Sequence, residues 1–125
     1  MYKHKLEQEI RCPLEYGLNI FGGKWKARII CVLSDKKTLR YGEIRKELIN
    51  ITDTVLTATL KEMIADKIIE RKQYNVIPPK VEYKLTAKGL SIIPILQSIC
   101  QWSAAYNDGE DNSLLTKCKS CEYNS

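Results

Sequence analysis

Thr54, Thr57 and Ala58, with Lys61 one turn further on, make a face of small and hydroxylated side chains that suits the edges of nucleic-acid bases. A hydroxyl there can donate or accept a hydrogen bond, and a methyl can touch thymine. Lys61, deeper along the face, is placed for a phosphate. Thr52 precedes the run as an N-cap, so the amides near Thr52 and Thr54 would point outward at the positive end of a helix dipole and accept a phosphate. A second group, Arg71, Lys72, Asn75 and Lys80, suits phosphate or minor-groove contact, and Arg40 stands ahead of both where it could clamp a backbone. Taken singly, these residues also describe a solvated polar surface. Their adjacency is what points to duplex DNA.

Cys12 offers a different chemistry. It precedes Pro13 at a helix start and follows Arg11, so the helix dipole and a cation would both favour its thiolate. A sensor of oxidants or electrophiles is one reading and a reduced cap residue is the other. Cys31 and Cys100 adjoin isoleucines and are expected to be buried. Cys118 and Cys121 form a lone Cys-x-x-Cys; structural zinc takes four ligands, so no metal is expected. Five cysteines without a spaced framework fit a reducing compartment, and neither a signal peptide nor a membrane span is expected, so the chain should be cytoplasmic. His4 is the sole histidine, and there is no glycine-rich phosphate loop. The sequence therefore points away from an enzyme and calls for no cofactor.

Positioning these groups requires particular elements. Leu56, Leu60, Met63 and Ile64 recur at helical spacing, forming an apolar back to the helix whose front carries Thr54, Thr57, Ala58 and Lys61. Ile69 to Tyr74 and Val81 to Leu85 are predicted to pair as strands around a tip at Asn75 to Pro79, since proline cannot donate to a ladder. Upstream, Pro13 opens a first helix bearing Leu14, Leu18 and Phe21, ended by Gly22-Gly23. A second helix turns Trp25, Ile29, Ile30 and Leu33 inward before a turn at Ser34 to Lys37. Thr38 to Arg40 is predicted as a short strand, and Tyr41 to Leu48 as a third helix. Thr86 is predicted to cap a last helix, apolar on more than one face and kinked at Pro94.

With 125 residues and a net charge of +5, the chain makes one domain with a basic bias. The bias is central: residues 23–89 hold 15 Lys or Arg against 8 Asp or Glu, an excess of seven. A polyanionic partner fits that distribution. Residues 1–106 are expected to form the domain, and 107–125 a polar tail with the Cys-x-x-Cys pair.

Several motifs run in order: Cys12-Pro13, Gly22-Gly23-Lys24-Trp25-Lys26, Tyr41-Gly42-Glu43-Ile44-Arg45, Val55-Leu56-Thr57, Leu60-Lys61-Glu62-Met63, and Pro79-Lys80-Val81-Glu82-Tyr83-Lys84-Leu85-Thr86-Ala87-Lys88-Gly89. Over about residues 12 to 106 this order resembles the HxlR-type winged-helix transcriptional regulators, relatives of the MarR group. The resemblance implies an α+β, mainly helical fold: a winged helix-turn-helix with N- and C-terminal dimerisation helices. It further implies a homodimeric bacterial regulator that binds double-stranded DNA, and in some members thiol sensing at the cysteine matching Cys12. Leu14 and Leu18 on the first helix, with Ile95, Ile99, Trp102 and Tyr106 on the last, are the expected dimer interface. Asp53 and Thr54 stand where many such proteins carry basic residues. Other readings are a winged-helix module that binds protein, the same regulator governed by a small-molecule ligand, and a thiol-redox protein built on Cys118 and Cys121.

Overall fold

Pro13 fixes the φ that a first helical turn needs, and helix α1 (Pro13–Phe21) begins there in the computed structural model, which describes residues 10–106. The tail with Cys118 and Cys121, and His4, lie outside the described residues. Gly22 ends α1, and Gly23, at φ 88°, takes the left-handed turn into α2 (Lys24–Lys36). Helix α2 continues through Ser34 to Lys36, past the expected turn, and stops where Lys37 adopts φ 77°. The two-residue strand β1 (Thr38–Leu39) leads into α3 (Tyr41–Leu48).

The link between α3 and the next helix is tight. Asn50 N donates to Leu48 O at 2.8 Å, a γ-turn centred on Ile49 at φ 67°. Thr52 then caps α4 (Asp53–Ala65), its hydroxyl accepting from Val55 N at 3.2 Å. Strands β2 (Ile69–Tyr74) and β3 (Lys80–Leu85) pair antiparallel, and β1 adds to β3, giving the order β1-β3-β2. The register sets Arg71 opposite Tyr83 and Tyr74 opposite Lys80. Asn75 to Pro79 is the tip, as the prolines require.

One core joins these pieces. Ile29, Ile30 and Leu33 of α2, Ile44 and Leu48 of α3, Leu56, Leu60 and Met63 of α4, and Tyr83 and Leu85 of β3 are all buried in it. Ile64 and Trp25 are partly buried at its edge. Burying side chains of this size contributes about 1.5–3 kcal/mol each. The stripe read from α4 is thus what seats that helix and leaves its other side in solvent.

The C-terminal part departs from expectation. Thr86 caps a separate short helix, α5 (Ala87–Leu90), pressed so closely on the Ile68 carbonyl that a side chain in place of Gly89 would collide with it. The long helix α6 (Ile93–Tyr106) begins only after this break. Pro94 accordingly lies in the first turn of α6, where its missing N–H costs no helical bond, and no interior kink arises from it. Cys31 and Cys100 are exposed, against the expectation of burial. Ile29, Ile30 and Leu33 occupy the inward arc of α2, so Cys31 turns outward. Leu96 is the last buried residue of α6, and Cys100 lies beyond the core altogether. Among the described residues no helix is long and apolar enough to cross a membrane.

Candidate nucleic-acid interface

Helix α4 presents Thr54, Thr57, Ala58 and Lys61 to solvent on the side away from Leu56, Leu60 and Met63. Thr52 is also exposed, but its hydroxyl is committed to the Val55 amide. That leaves the Asp53 and Thr54 amides as the outermost donors at the helix start.

Asp53, the residue that departs from a basic pattern, is held by α3. Its Oδ1 accepts from the Tyr41 hydroxyl at 2.8 Å and is ion-paired with Arg45 Nε at 3.0 Å. Tyr41 and Arg45 are four residues apart and so share one face of α3, which lies against the start of α4. The acidic charge is thereby offset from within the chain, at the point where a phosphate would approach. The Tyr41 hydroxyl also lies 3.4 Å from Thr57 Oγ1. From the sequence, Tyr41 and Arg45 are only the ends of a family motif, with no role at Asp53; their i, i+4 spacing was the available signal, but the partner lies on another helix.

The wing splits its residues between two faces. By strand alternation Arg71 shares the face of Ile69 and Tyr83, the one turned toward the helices. It is exposed and forms no ion pair with another described residue. Lys72, Tyr74, Lys80 and Glu82 occupy the opposite face. Lys72 and Lys80 lie over the Tyr74 ring, at 5.1 and 4.9 Å from its centroid, and Lys80 pairs with Glu82 at 3.4 Å. Hydrogen bonding from Tyr74, then Lys80 and the charge of Arg40, holds the Glu82 carboxyl below its ordinary value. The same Tyr74–Glu82 contact, with burial and the Glu82 charge, raises Tyr74. Asn75 is exposed at the tip, and Arg40, also exposed, caps α3 through its amide, which donates to Glu43 Oε1 at 2.8 Å. All ten expected contact residues therefore fall on α3's start, α4 or the wing, but Lys80 is already neutralised in part.

Two further lysines join α1 to the recognition helix. Lys26 Nζ donates to Asn19 O at 2.9 Å and to Glu62 Oε2 at 2.7 Å, and the pair is largely shielded, with side chains 12% and 27% exposed. Lys88 Nζ donates to the Tyr16 hydroxyl at 3.1 Å and to Asp66 O, at the end of α4, at 3.0 Å. Cys12 is exposed at the start of α1 and makes no side-chain cap. The outward side of α1 carries Leu14 and Leu18, and that of α6 carries Ile95, Ile99, Trp102 and Tyr106; Leu14, Trp102 and Tyr106 are 69%, 65% and 75% exposed.

A capped helix whose outer face is small and hydroxylated with Lys61 at its far end, carried by a tight turn and flanked by a basic hairpin, is the arrangement of a winged helix-turn-helix transcriptional regulator. The family model described as HxlR-like helix-turn-helix matches residues 20–111, and the chain belongs to that family. An uncharacterized HTH-type transcriptional regulator of Methanothermobacter thermautotrophicus is 43% identical over 107 residues, 86% of this chain and 81% of the relative. Among solved structures, the redox regulator HypR in its oxidized form is 37% identical with a TM-score of 0.69, covering 75% of this chain and 96% of that one. The reduced form of the transcriptional regulator YodB from B. subtilis is 30% identical with a TM-score of 0.73, covering 82% of this chain and all of that one. The family and its relatives are transcriptional regulators and not enzymes.

Proposed function

We propose that the chain works in the cytoplasm as a homodimeric, sequence-specific regulator of double-stranded DNA whose binding is set by the thiol of Cys12. The observation that carries this reading is a pairing of surfaces: the threonine, alanine and lysine front of α4 beside a basic wing on one side, and solvent-facing leucines, isoleucines and aromatics of α1 and α6 on the other. An apolar face of that kind is what a second copy covers. Two recognition helices would then read half-sites about 34 to 36 Å apart, or a multiple of that.

Cys12 sits at the head of α1, and α1 is tied to α4 through Lys26 and Lys88. Modification that shifts α1 would alter the separation of the two α4 helices without touching DNA. An electrophile would add to the thiolate. An oxidant such as diamide would take two electrons and two protons from Cys12 and a second thiol, leaving a disulfide and the reduced hydrazine. The second thiol would be the partner's Cys12, a cysteine of the tail or a small thiol. HypR is described as a redox regulator, which supports this reading by relationship.

The test is to titrate the wild-type chain and Cys12→Ser with diamide and with a quinone while following duplex binding. Wild type should change its affinity and the serine variant should not. Equal responses would remove Cys12 as the sensor, with matched Cys31→Ser and Cys100→Ser variants, both positions being exposed, showing whether another thiol takes its place. A reversible small-molecule ligand would act on every variant alike.

A further inference from the structure

Tyr41 has one hydroxyl proton and three oxygens within reach of it. Asp53 Oδ1 lies at 2.8 Å and Thr57 Oγ1 at 3.4 Å, with the Asp53 carbonyl also at 3.4 Å. A carboxylate has no proton to give, so a contact of 2.8 Å between it and a phenol has the phenol as donor. The Arg45 guanidinium holds the same Oδ1 at 3.0 Å and keeps the carboxylate turned toward α3. With its proton committed to Asp53, Tyr41 can meet Thr57 only as an acceptor. The Thr57 proton then points back at Tyr41, and its oxygen lone pairs face outward.

From this we propose that Tyr41 is a specificity-determining positioning residue, which presents Thr57 to the major groove as a hydrogen-bond acceptor. The bases that offer donors there are adenine, through its N6 amino group, and cytosine, through N4; thymine O4 and guanine O6 and N7 are acceptors and would face lone pair against lone pair. Position 57 therefore selects an amino-bearing edge and disfavours a keto edge. A threonine with a freely turning hydroxyl would accept either. The inference rests on the DNA-binding reading above and deepens it, since it assigns a base chemistry to one residue and the cause to another that does not itself need to touch DNA.

The experiment is selection from a random duplex library with the full-length wild type, Tyr41→Phe, Asp53→Ala and Thr57→Val, each checked for an unchanged thermal transition. Wild type should enrich adenine or cytosine at one position per half-site by about fivefold over thymine and guanine, the discrimination that one hydrogen bond supplies. Thr57→Val should lose that preference. Tyr41→Phe should keep the rest of the motif but admit thymine and guanine at this position, because the Thr57 proton is released. Asp53→Ala should do the same through a different residue, by returning the Tyr41 proton, and should also raise affinity for every sequence as an acidic charge is removed. A Tyr41→Phe motif identical to wild type overturns the proposal, as does a uniform loss of affinity with a lowered melting temperature, which would make Tyr41 merely structural. No enrichment by any of the proteins, wild type included, overturns the DNA-binding reading itself and this inference with it.

Discussion

Where α3, α4 and the wing meet, charged side chains find partners within the chain: Asp53 with Arg45 and Tyr41, Glu82 with Lys80 and Tyr74. Along α1 and α6 the large apolar side chains lie open to solvent, Trp102 and Tyr106 touching one another with ring centroids 5.4 Å apart. The first region is complete as a single chain, and its residues are arranged by contacts that need no second molecule. The second has no such internal partners for its apolar side chains, and it is this face that we propose a second copy covers. The surface proposed to read DNA is thus separate from the one proposed to mate with a second copy, and Lys26 and Lys88 tie α1 of the latter to α4 of the former.

Breaking the proposed mating side should have the largest effect. In Trp102→Glu a charge enters the middle of the proposed interface at a position the fold itself leaves exposed. The variant should keep its helical signal, run as a monomer by light scattering at micromolar concentration, and lose about 100-fold or more in affinity for a two-half-site duplex as the second contact becomes independent. A dimer that persists with full affinity would place the mating surface elsewhere and undo the contrast between the two regions.

Much of the fold that carries these two regions was legible in the sequence, for reasons that are local. The Leu56, Leu60 and Met63 stripe, the Thr52 cap, Pro13 at a helix start and the alternation from Val81 to Leu85 each express a period or a backbone constraint carried by neighbouring residues. What escaped depends on residues far apart in the chain. Asp53 stood out against a basic pattern because its compensation comes from α3, and nothing local marks Lys26, read only as part of a motif, as a bridge between α1 and α4. The thiols failed for a related reason. An isoleucine neighbour does not bury a cysteine when the helix turns it away, as at Cys31, or outruns the core, as at Cys100.

One of the two links between the regions, Lys26, can be cut without touching either surface. Lys26→Met keeps the aliphatic stem and removes the ammonium that joins Asn19 O to Glu62. Leaving a shielded carboxylate without its cation should lower stability by about 1–3 kcal/mol, read as a fall in the melting temperature. Adding Glu62→Leu should recover most of that loss, since replacing both members of a shielded pair by apolar groups is often neutral. Thiol modification should nonetheless shift DNA affinity less in both variants than in wild type. A full response in the double variant would show that α1 acts on α4 by another route.

The finest distinction lies inside the proposed reading side, between two basic residues of the wing that look alike in the sequence. Arg71 shares the sheet face turned toward the helices and has no ion-pair partner among the described residues, whereas Lys80 is paired with Glu82 and held over Tyr74. A cation already neutralised has little counterion to release from DNA when it meets a phosphate, and an unpaired one has its full share. Arg71→Ala should therefore flatten the dependence of log affinity on log salt by about 0.9, the value for one phosphate contact, and weaken binding on all sequences alike. Lys80→Ala should change the slope by clearly less, because a lysine held by Glu82 and Tyr74 makes no full phosphate contact to lose. Measuring both slopes on the same duplex separates the cases: equal slopes would mean that the Lys80–Glu82 pair opens when DNA arrives, and that the wing, unlike the Asp53 cluster on α4, is arranged by the nucleic acid and not beforehand.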